Sequence, residues 1–148
     1  MLSSTVEVAL AILHQDDQFL LQLRDDIPGI AYPGCWGFFG GHIELGESPE
    51  RGLRRELEEE IGYVPPVLTA FGCYRTPEVV RHVYYAPLTV VLTDLVLHEG
   101  WDLDLWTTAE VERGARYSQR ASQVRPIAPP TQKILLDFLA ARIVPTGE

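Results

Sequence analysis

Basic charge is scarce in this chain: twelve Lys and Arg stand against 21 Asp and Glu in 148 residues, a formal net charge of -9. So acidic a surface excludes a nucleic acid polymer or an anionic membrane as the main partner, since both demand a basic face. Cysteine is almost missing too. Cys35 and Cys73 are too few for a disulfide framework, so a reducing, cytoplasmic setting is the simpler expectation, with a single bridge left open. No apolar run approaches the roughly 18 residues of a membrane span. The start, MLSSTVEVALAILHQ, lacks a basic leader and alternates too early for a signal peptide. There is no asparagine, no internal repeat and no low-complexity segment, and lysine occurs once, at Lys133, beside eleven arginines. Arginine suits bidentate phosphate contacts, although codon bias gives the same count. One domain over residues 1–148 is expected, enough to bury roughly two thirds of the surface of the unfolded chain.

What is present is concentrated in one stretch, GHIELGESPERGLRRELEEEIGY, from Gly41 to Tyr63. Ser48-Pro49 reads as an N-cap and first turn, Gly62 as the end of a helix, and Pro65-Pro66 forbid extension. At 100° per residue, Glu56, Glu59 and Glu60 share one face, next to an apolar stripe of Leu53, Leu57 and Ile61. Carboxylates this close repel, and more so where water is excluded, so the face suggests a cation. Hard oxygen ligands point to Mg²⁺ or Mn²⁺. Glu58 falls on the outer face with Arg51 and Arg54 and reads as solvated charge.

Around this helix the pattern predicts strands over Thr5 to Leu13 and Gln18 to Leu23, joined by a turn at His14-Gln15-Asp16-Asp17. A loop punctuated by proline and glycine covers Arg24 to Gly34 and leads to a short strand from Trp36 to Gly41. Further strands are expected over Val67 to Tyr74, over Arg81 to Leu97 with a bend at Pro87, and around Leu103 to Trp106. A short helix begins near Thr108. A terminal helix, Pro130 to Arg142, carries Ile134, Leu135, Phe138 and Leu139 on the face that packs on the sheet. Between them lies a basic stretch without acidic residues, Arg113 to Lys133, read as a mobile surface loop, a lid over phosphates or a docking segment for a homodimer.

The dense stretch resembles the signature of the Nudix hydrolases: Gly, five residues, Glu, seven residues, Arg-Glu-aliphatic, one residue, Glu-Glu, one residue, Gly, aliphatic. Gly41, Glu47, Arg55, Glu56, Leu57, Glu59, Glu60 and Gly62 hold those places, so eight of nine match; Tyr63 departs from the aliphatic last place and is read as capping the apolar stripe. The resemblance covers 23 of 148 residues. It implies an α+β Nudix fold, an αβα sandwich around a mixed curved β-sheet. It also implies metal-dependent hydrolysis of a diphosphate bond in a nucleoside diphosphate-linked small molecule, with water attacking phosphorus. The metal ligands it implies are Glu56, Glu59 and Glu60, the Gly40 carbonyl, and Glu99 from the loop LHEGWDL. The general base is Glu56 or Glu99. Arg55 joins the catalytic group by orienting carboxylates, with Glu47 as its brace or as a partner of bound water. Arg24, at the end of the second strand, and Arg81 are expected to meet substrate phosphates, while His98 reads as a bystander.

Substrate choice is less legible. Relatives that hydrolyse oxidised guanine nucleotides read the base with an asparagine side chain, which this chain lacks, although Gln, Asp or backbone groups remain available. Nucleotide sugars and ADP-ribose form a second class. Pro77 lies near the proline position of ADP-ribose hydrolases without matching it well. Dinucleoside polyphosphates are disfavoured, because Val79-Val80-Arg81 stands where a tyrosine is expected. The alternative from another class is a non-catalytic Nudix-like module that senses a nucleotide.

Overall fold

The computed structural model describes residues 5–143. In chain order the elements are β1 (Val6–Gln15), β2 (Gln18–Leu23), β3 (Trp36–Gly37), β4 (Phe39–His42), α1 (Pro49–Ile61), β5 (Thr69–Arg75), β6 (Val79–Pro87), a 3-10 turn (Leu92–Asp94), β7 (Asp102–Trp106), α2 (Thr108–Arg113), β8 (Ala115–Ser118), β9 (Gln123–Pro126) and α3 (Pro129–Ala140). They gather into two compact units. One holds β1 as far as Leu13 together with Phe39–His98; the other holds His14–Phe38 and the chain from Glu99 onward.

In the first unit β4 pairs antiparallel with β1, and β5 pairs antiparallel with β6 through a bulge between Ala70 and Gly72. Helix α1 starts and stops where its sequence says. The Ser48 hydroxyl accepts from the Arg51 amide at 3.2 Å, proline occupies the first turn, and Gly62 closes the helix in the left-handed conformation. Leu53, Leu57 and Ile61 are at most 1% exposed, so the predicted stripe is the buried face.

One expectation fails here. The strand read over Arg81 to Leu97 ends at Pro87, which has no amide hydrogen for the ladder. Beyond it the β-branched residues favour a strand by propensity alone, and the chain forms the 3-10 turn instead. The amides of Val96 and His98 then donate to the Ile61 and Glu60 carbonyls at 3.3 and 3.0 Å, satisfying acceptors that a helix end leaves open. Tyr63 does more than cap the stripe. Its hydroxyl donates to the Pro87 carbonyl, pairs with the Thr89 hydroxyl at 3.0 Å and accepts from the Thr89 amide, tying the end of α1 to the end of β6.

In the second unit β2 pairs with β3 and with β7, setting Leu23 opposite both Trp36 and Asp102. Phe19 to Leu23 are all buried, which explains an apolar run, broken only by Gln22 with its amide donating to the Phe38 carbonyl, where a half-exposed strand would alternate. The turn before β2 is shorter than read from sequence: β1 runs on to Gln15, leaving Asp16-Asp17 with Asp16 at φ 56°. The strand expected from Trp36 to Gly41 splits at Phe38 into β3 and β4, which take different partners. Helix α2 opens with a reciprocal cap between Thr107 and Glu110. The stretch Arg113 to Lys133 is ordered structure, not the irregular loop its prolines suggested: β8 and β9 form an antiparallel hairpin and α3 begins at Pro129. Phe138 of α3 meets Phe19 edge-on at 6.1 Å, and Trp36 meets Trp106 at 5.6 Å. Burying one such ring stabilises the fold by about 1.5–3 kcal/mol. Among the described residues no helix is long and apolar enough to cross a membrane.

Candidate functional site

The first unit assembles a carboxylate cluster around one guanidinium. Arg55 Nε and Nη2 donate to the two oxygens of Glu47 at 2.8 and 3.1 Å, Nη1 donates to Glu56 at 2.9 Å and to Glu59 at 3.5 Å, and Nη2 also reaches the His42 carbonyl at 3.1 Å. Glu47 is itself fixed by the Glu44 amide at 2.8 Å. The fork geometry of arginine permits this many directed bonds where a lysine ammonium would not. The Arg55 hydrogen bonds, helped by the Glu44 amide, hold the Glu47 carboxyl down at about 2 from an ordinary 4.5. The same bonds push the Arg55 guanidinium further above its already high value.

Backbone geometry brings two of the helix glutamates to β4. Gly40 sits at φ 136°, and a β-carbon there would overlap the Ala9 carbonyl of β1, so only glycine fits. Its amide donates to Glu60 Oε1 at 2.9 Å, and Glu60 is only 7% exposed. At Gly41 a β-carbon would stand 2.8 Å from the carboxyl carbon of Glu56, so the missing side chain leaves room for that carboxylate. The structure therefore brings Gly40, Gly41, Arg55, Glu56 and Glu60 together, with Glu59 on the rim at 59% side-chain exposure.

As the side chains stand, no three His, Cys, Asp or Glu groups among the described residues converge on one point as metal ligands, because Glu56 and Glu59 turn to Arg55 and Glu60 to the Gly40 amide. The donor set nevertheless fits a hard divalent ion. It offers carboxylate and carbonyl oxygens alone, and glycine backbone lies against them. Glu58 and Arg51 are exposed, as the helical wheel required. Arg54 is not simply solvated: it pairs with Glu50 at 3.1 Å and donates to the Pro65 and Pro66 carbonyls.

Arg81 is half-buried on β6 opposite Tyr74. Next to it His82 pairs with Glu7 at 2.8 Å. Burial, then the charge of Glu50, pushes the Tyr84 phenol up, which places that side chain within electrostatic reach of the first turn of α1.

The second unit holds the other expected residues. The Trp101 amide donates to the Leu23 carbonyl at 2.8 Å, so the loop of Glu99 enters β7 beside the end of β2, where Arg24 begins the next loop. Glu99 is exposed. Arg24 has a buried Nε without a hydrogen-bond partner.

Sequence reasoning missed what Asp102 and Asp104 do. Both are ion-pair partners of the hairpin: Asp104 meets Arg116 at 3.2 Å, and Asp102, only 6% exposed, accepts from the Ser118 hydroxyl at 2.7 Å and lies 3.7 Å from Arg120. The signal was available in DLDLW, where two acids alternate with leucines and so share a strand face, with Arg113, Arg116 and Arg120 the next basic residues along the chain.

A family model described as NUDIX domain matches residues 4–125. An ADP-ribose pyrophosphatase of Methanocaldococcus jannaschii is 36% identical over 67 residues, 45% of this chain and 38% of that protein. The matched stretches cover 38 to 50% of the length of the first curated relatives. Among solved structures, MutT of Aliivibrio salmonicida and Vibrio cholerae shares the fold at TM-score 0.71 and 21% identity, covering 93% of this chain and 99% of that one. The NUDIX domain of Shewanella oneidensis NrtR, complexed with ADP ribose, does so at TM-score 0.70 and 20% identity, covering 94% and 89%. At these identities the structural likeness establishes the α+β Nudix fold, and the domain match over most of the length establishes the lineage: the chain belongs to the Nudix hydrolase family.

Proposed function

We propose that residues 1–148 act as one Nudix hydrolase domain that cleaves a diphosphate bond in a nucleoside diphosphate-linked substrate. The observation that carries this reading is the saturation of Arg55, whose bonds to Glu47, Glu56 and Glu59 hold a carboxylate set beside the Gly40-Gly41 backbone. One guanidinium offsets only part of the charge of Glu47, Glu56 and Glu59, so the set remains net negative and suits a further cation.

Glu56, Glu59, Glu60 and the Gly40 carbonyl are the residues that would hold Mg²⁺ or Mn²⁺, with Glu99 as a further ligand. When bound, the ion neutralises diphosphate oxygens and lowers the pKa of an attacking water. The protein supplies the remainder. Arg55 orients Glu56 and Glu59, Glu56 takes the proton of the attacking water, and Glu99 is the alternative base. The unpartnered Arg24 Nε donates to a substrate phosphate oxygen, and Arg81 adds a second positive group.

ADP-ribose is the favoured substrate class, supported by the relative named an ADP-ribose pyrophosphatase and by the structural neighbour that holds ADP ribose. Base reading by an asparagine side chain has no residue to perform it. The test is turnover of ADP-ribose, nucleotide sugars and nucleoside triphosphates with Mg²⁺ by the wild type, Glu56→Gln and Glu99→Gln. Activity is expected to vanish with a chelator and return with Mg²⁺ or Mn²⁺; turnover indifferent to chelation rejects the mechanism.

The alternative is a nucleotide sensor without turnover, in which Glu56 stays bound to Arg55 and takes no proton. Binding of ADP-ribose unaccompanied by turnover of any panel member would select it.

A further inference from the structure

In the first unit a thiol, an imidazole and a carboxylate line up across three neighbouring strands, with β6 lying between β5 and β1. The register of β5 with β6 sets Cys73 directly opposite His82 and Arg75 opposite Val80, so these four share one face of the sheet, while Tyr74 and Arg81 share the other. Directly opposite residues hold their β-carbons about 4.5–5.5 Å apart, which leaves the imidazole within reach of the thiol by rotation about one side-chain bond. Toward β1, His82 Nε2 lies 2.8 Å from Glu7 Oε1. A carboxylate only accepts, so Nε2 carries the hydrogen and Nδ1 keeps the lone pair that a base needs. Cys73, His82 and Glu7 thus follow one another as nucleophile, base and orienting group.

The thiol is open to reagents, since Cys73 is free and exposed. An open cleft of about 410 Å³ adjoins the row, lined by Glu7, Arg75 and Val80 together with Thr5, Thr76 and Pro77. Arg75 is exposed, and its guanidinium has no ion pair among the described residues. The cleft therefore offers an uncommitted positive charge two residues from the thiol, whereas its one carboxylate is already engaged by His82. The other cysteine lacks such a setting. Cys35 is half-buried, and burial pushes its thiol up, which withholds the reactive thiolate.

We propose that Cys73, His82 and Glu7 form a reactive thiol site that exchanges with low-molecular-weight disulfides bearing carboxylates, with Arg75 receiving one carboxylate in the adjoining cleft. His82 Nδ1 takes the proton of the Cys73 thiol, and the thiolate attacks one sulfur of the disulfide. The bond from Cys73 Sγ to that sulfur forms as the original S–S bond breaks, and the other half leaves as a thiolate that recovers the proton from His82. Glu7 fixes the ring and stabilises the imidazolium while it carries the extra proton. The site stands apart from the hydrolase reading, because none of these residues has a part in hydrolysis and Arg81, assigned there to the substrate, lies on the opposite face.

The reaction is followed in the whole chain carrying Cys35→Ser, with dithiobis(nitrobenzoate), a disulfide with two carboxylates, and with hydroxyethyl disulfide, which has none. Cys73 is expected to react with the dicarboxylate about tenfold faster than the same cysteine in a peptide of residues 70–76, and mass spectrometry should place the adduct on Cys73. His82→Ala slows exchange about tenfold, and so does His82→Gln, which keeps a donor toward Glu7 and loses the base. Arg75→Ala slows the dicarboxylate several-fold and leaves hydroxyethyl disulfide unchanged. A rate at Cys73 equal to that of the peptide, or an unchanged rate in a folded His82 variant, overturns the site. Equal slowing of both disulfides in Arg75→Ala overturns the part given to Arg75.

Discussion

Arg55 and Arg24 are the same residue in opposite circumstances. The first is saturated, with Glu47, Glu56, Glu59 and a backbone carbonyl all accepting from it; the second has a buried nitrogen with no acceptor. A saturated guanidinium works on its own side chains. It fixes where carboxylates point, so its removal costs geometry and stability. An unsaturated one contributes little to the folded state and gains its partner on binding, so its removal costs affinity.

Each half of this contrast can be broken by experiment. The largest expected effect is in Arg55→Lys, which keeps the charge and loses the fork: kcat falls about 10- to 100-fold with KM nearly unchanged, as for other changes to groups that orient ligands. A KM effect instead would place Arg55 on the substrate. Next is Gly40→Ala, which forces a β-carbon against the Ala9 carbonyl at φ 136° and should lower unfolding free energy by at least about 1–3 kcal/mol, read from the urea midpoint. A wild-type midpoint would show that β4 and β1 can separate at no cost.

Arg24→Ala should then leave stability within about 0.5 kcal/mol, because its buried Nε makes no bond to lose, and raise KM for the turned-over nucleotide. A clear drop in melting temperature would erase the distinction between the two arginines. The smallest effect concerns pH. Glu47 has its pKa depressed to about 2 from 4.5, so the stability it contributes is complete above 4.5 and is lost as the pH falls toward 2. Glu47→Gln should remove that component, so the stability gap between variant and wild type narrows over this window; a constant gap would mean the Arg55 bonds do not depend on the charge of Glu47.

The same contrast explains what could be read from the sequence. Helix α1 was legible to its ends because its determinants are local: a serine cap, a first-turn proline, a terminal glycine and an apolar stripe within 15 residues. The placement of Glu56 and Glu60 on one face followed from helical geometry, and their meeting with Gly40 and Gly41 from the nearness of that turn. The partner of Arg120 was not legible, since Asp102 lies 18 residues away on β7 and meets it only where the tip of the hairpin of β8 and β9 folds back on that strand. The run after Pro87 misled for the opposite reason. Its residues carry strong strand propensity, and what overrides it is a tie to helix carbonyls some 35 residues earlier.

That tie has a dynamic consequence. Since the Val96 and His98 amides close the carbonyls of Ile61 and Glu60, the last turn of α1 and the segment before Glu99 open and close as one cooperative piece. Deuterium should enter the amides of 96 and 98 at the pace of the helix end, leaving Glu99 one peptide bond from the boundary of that shared protection.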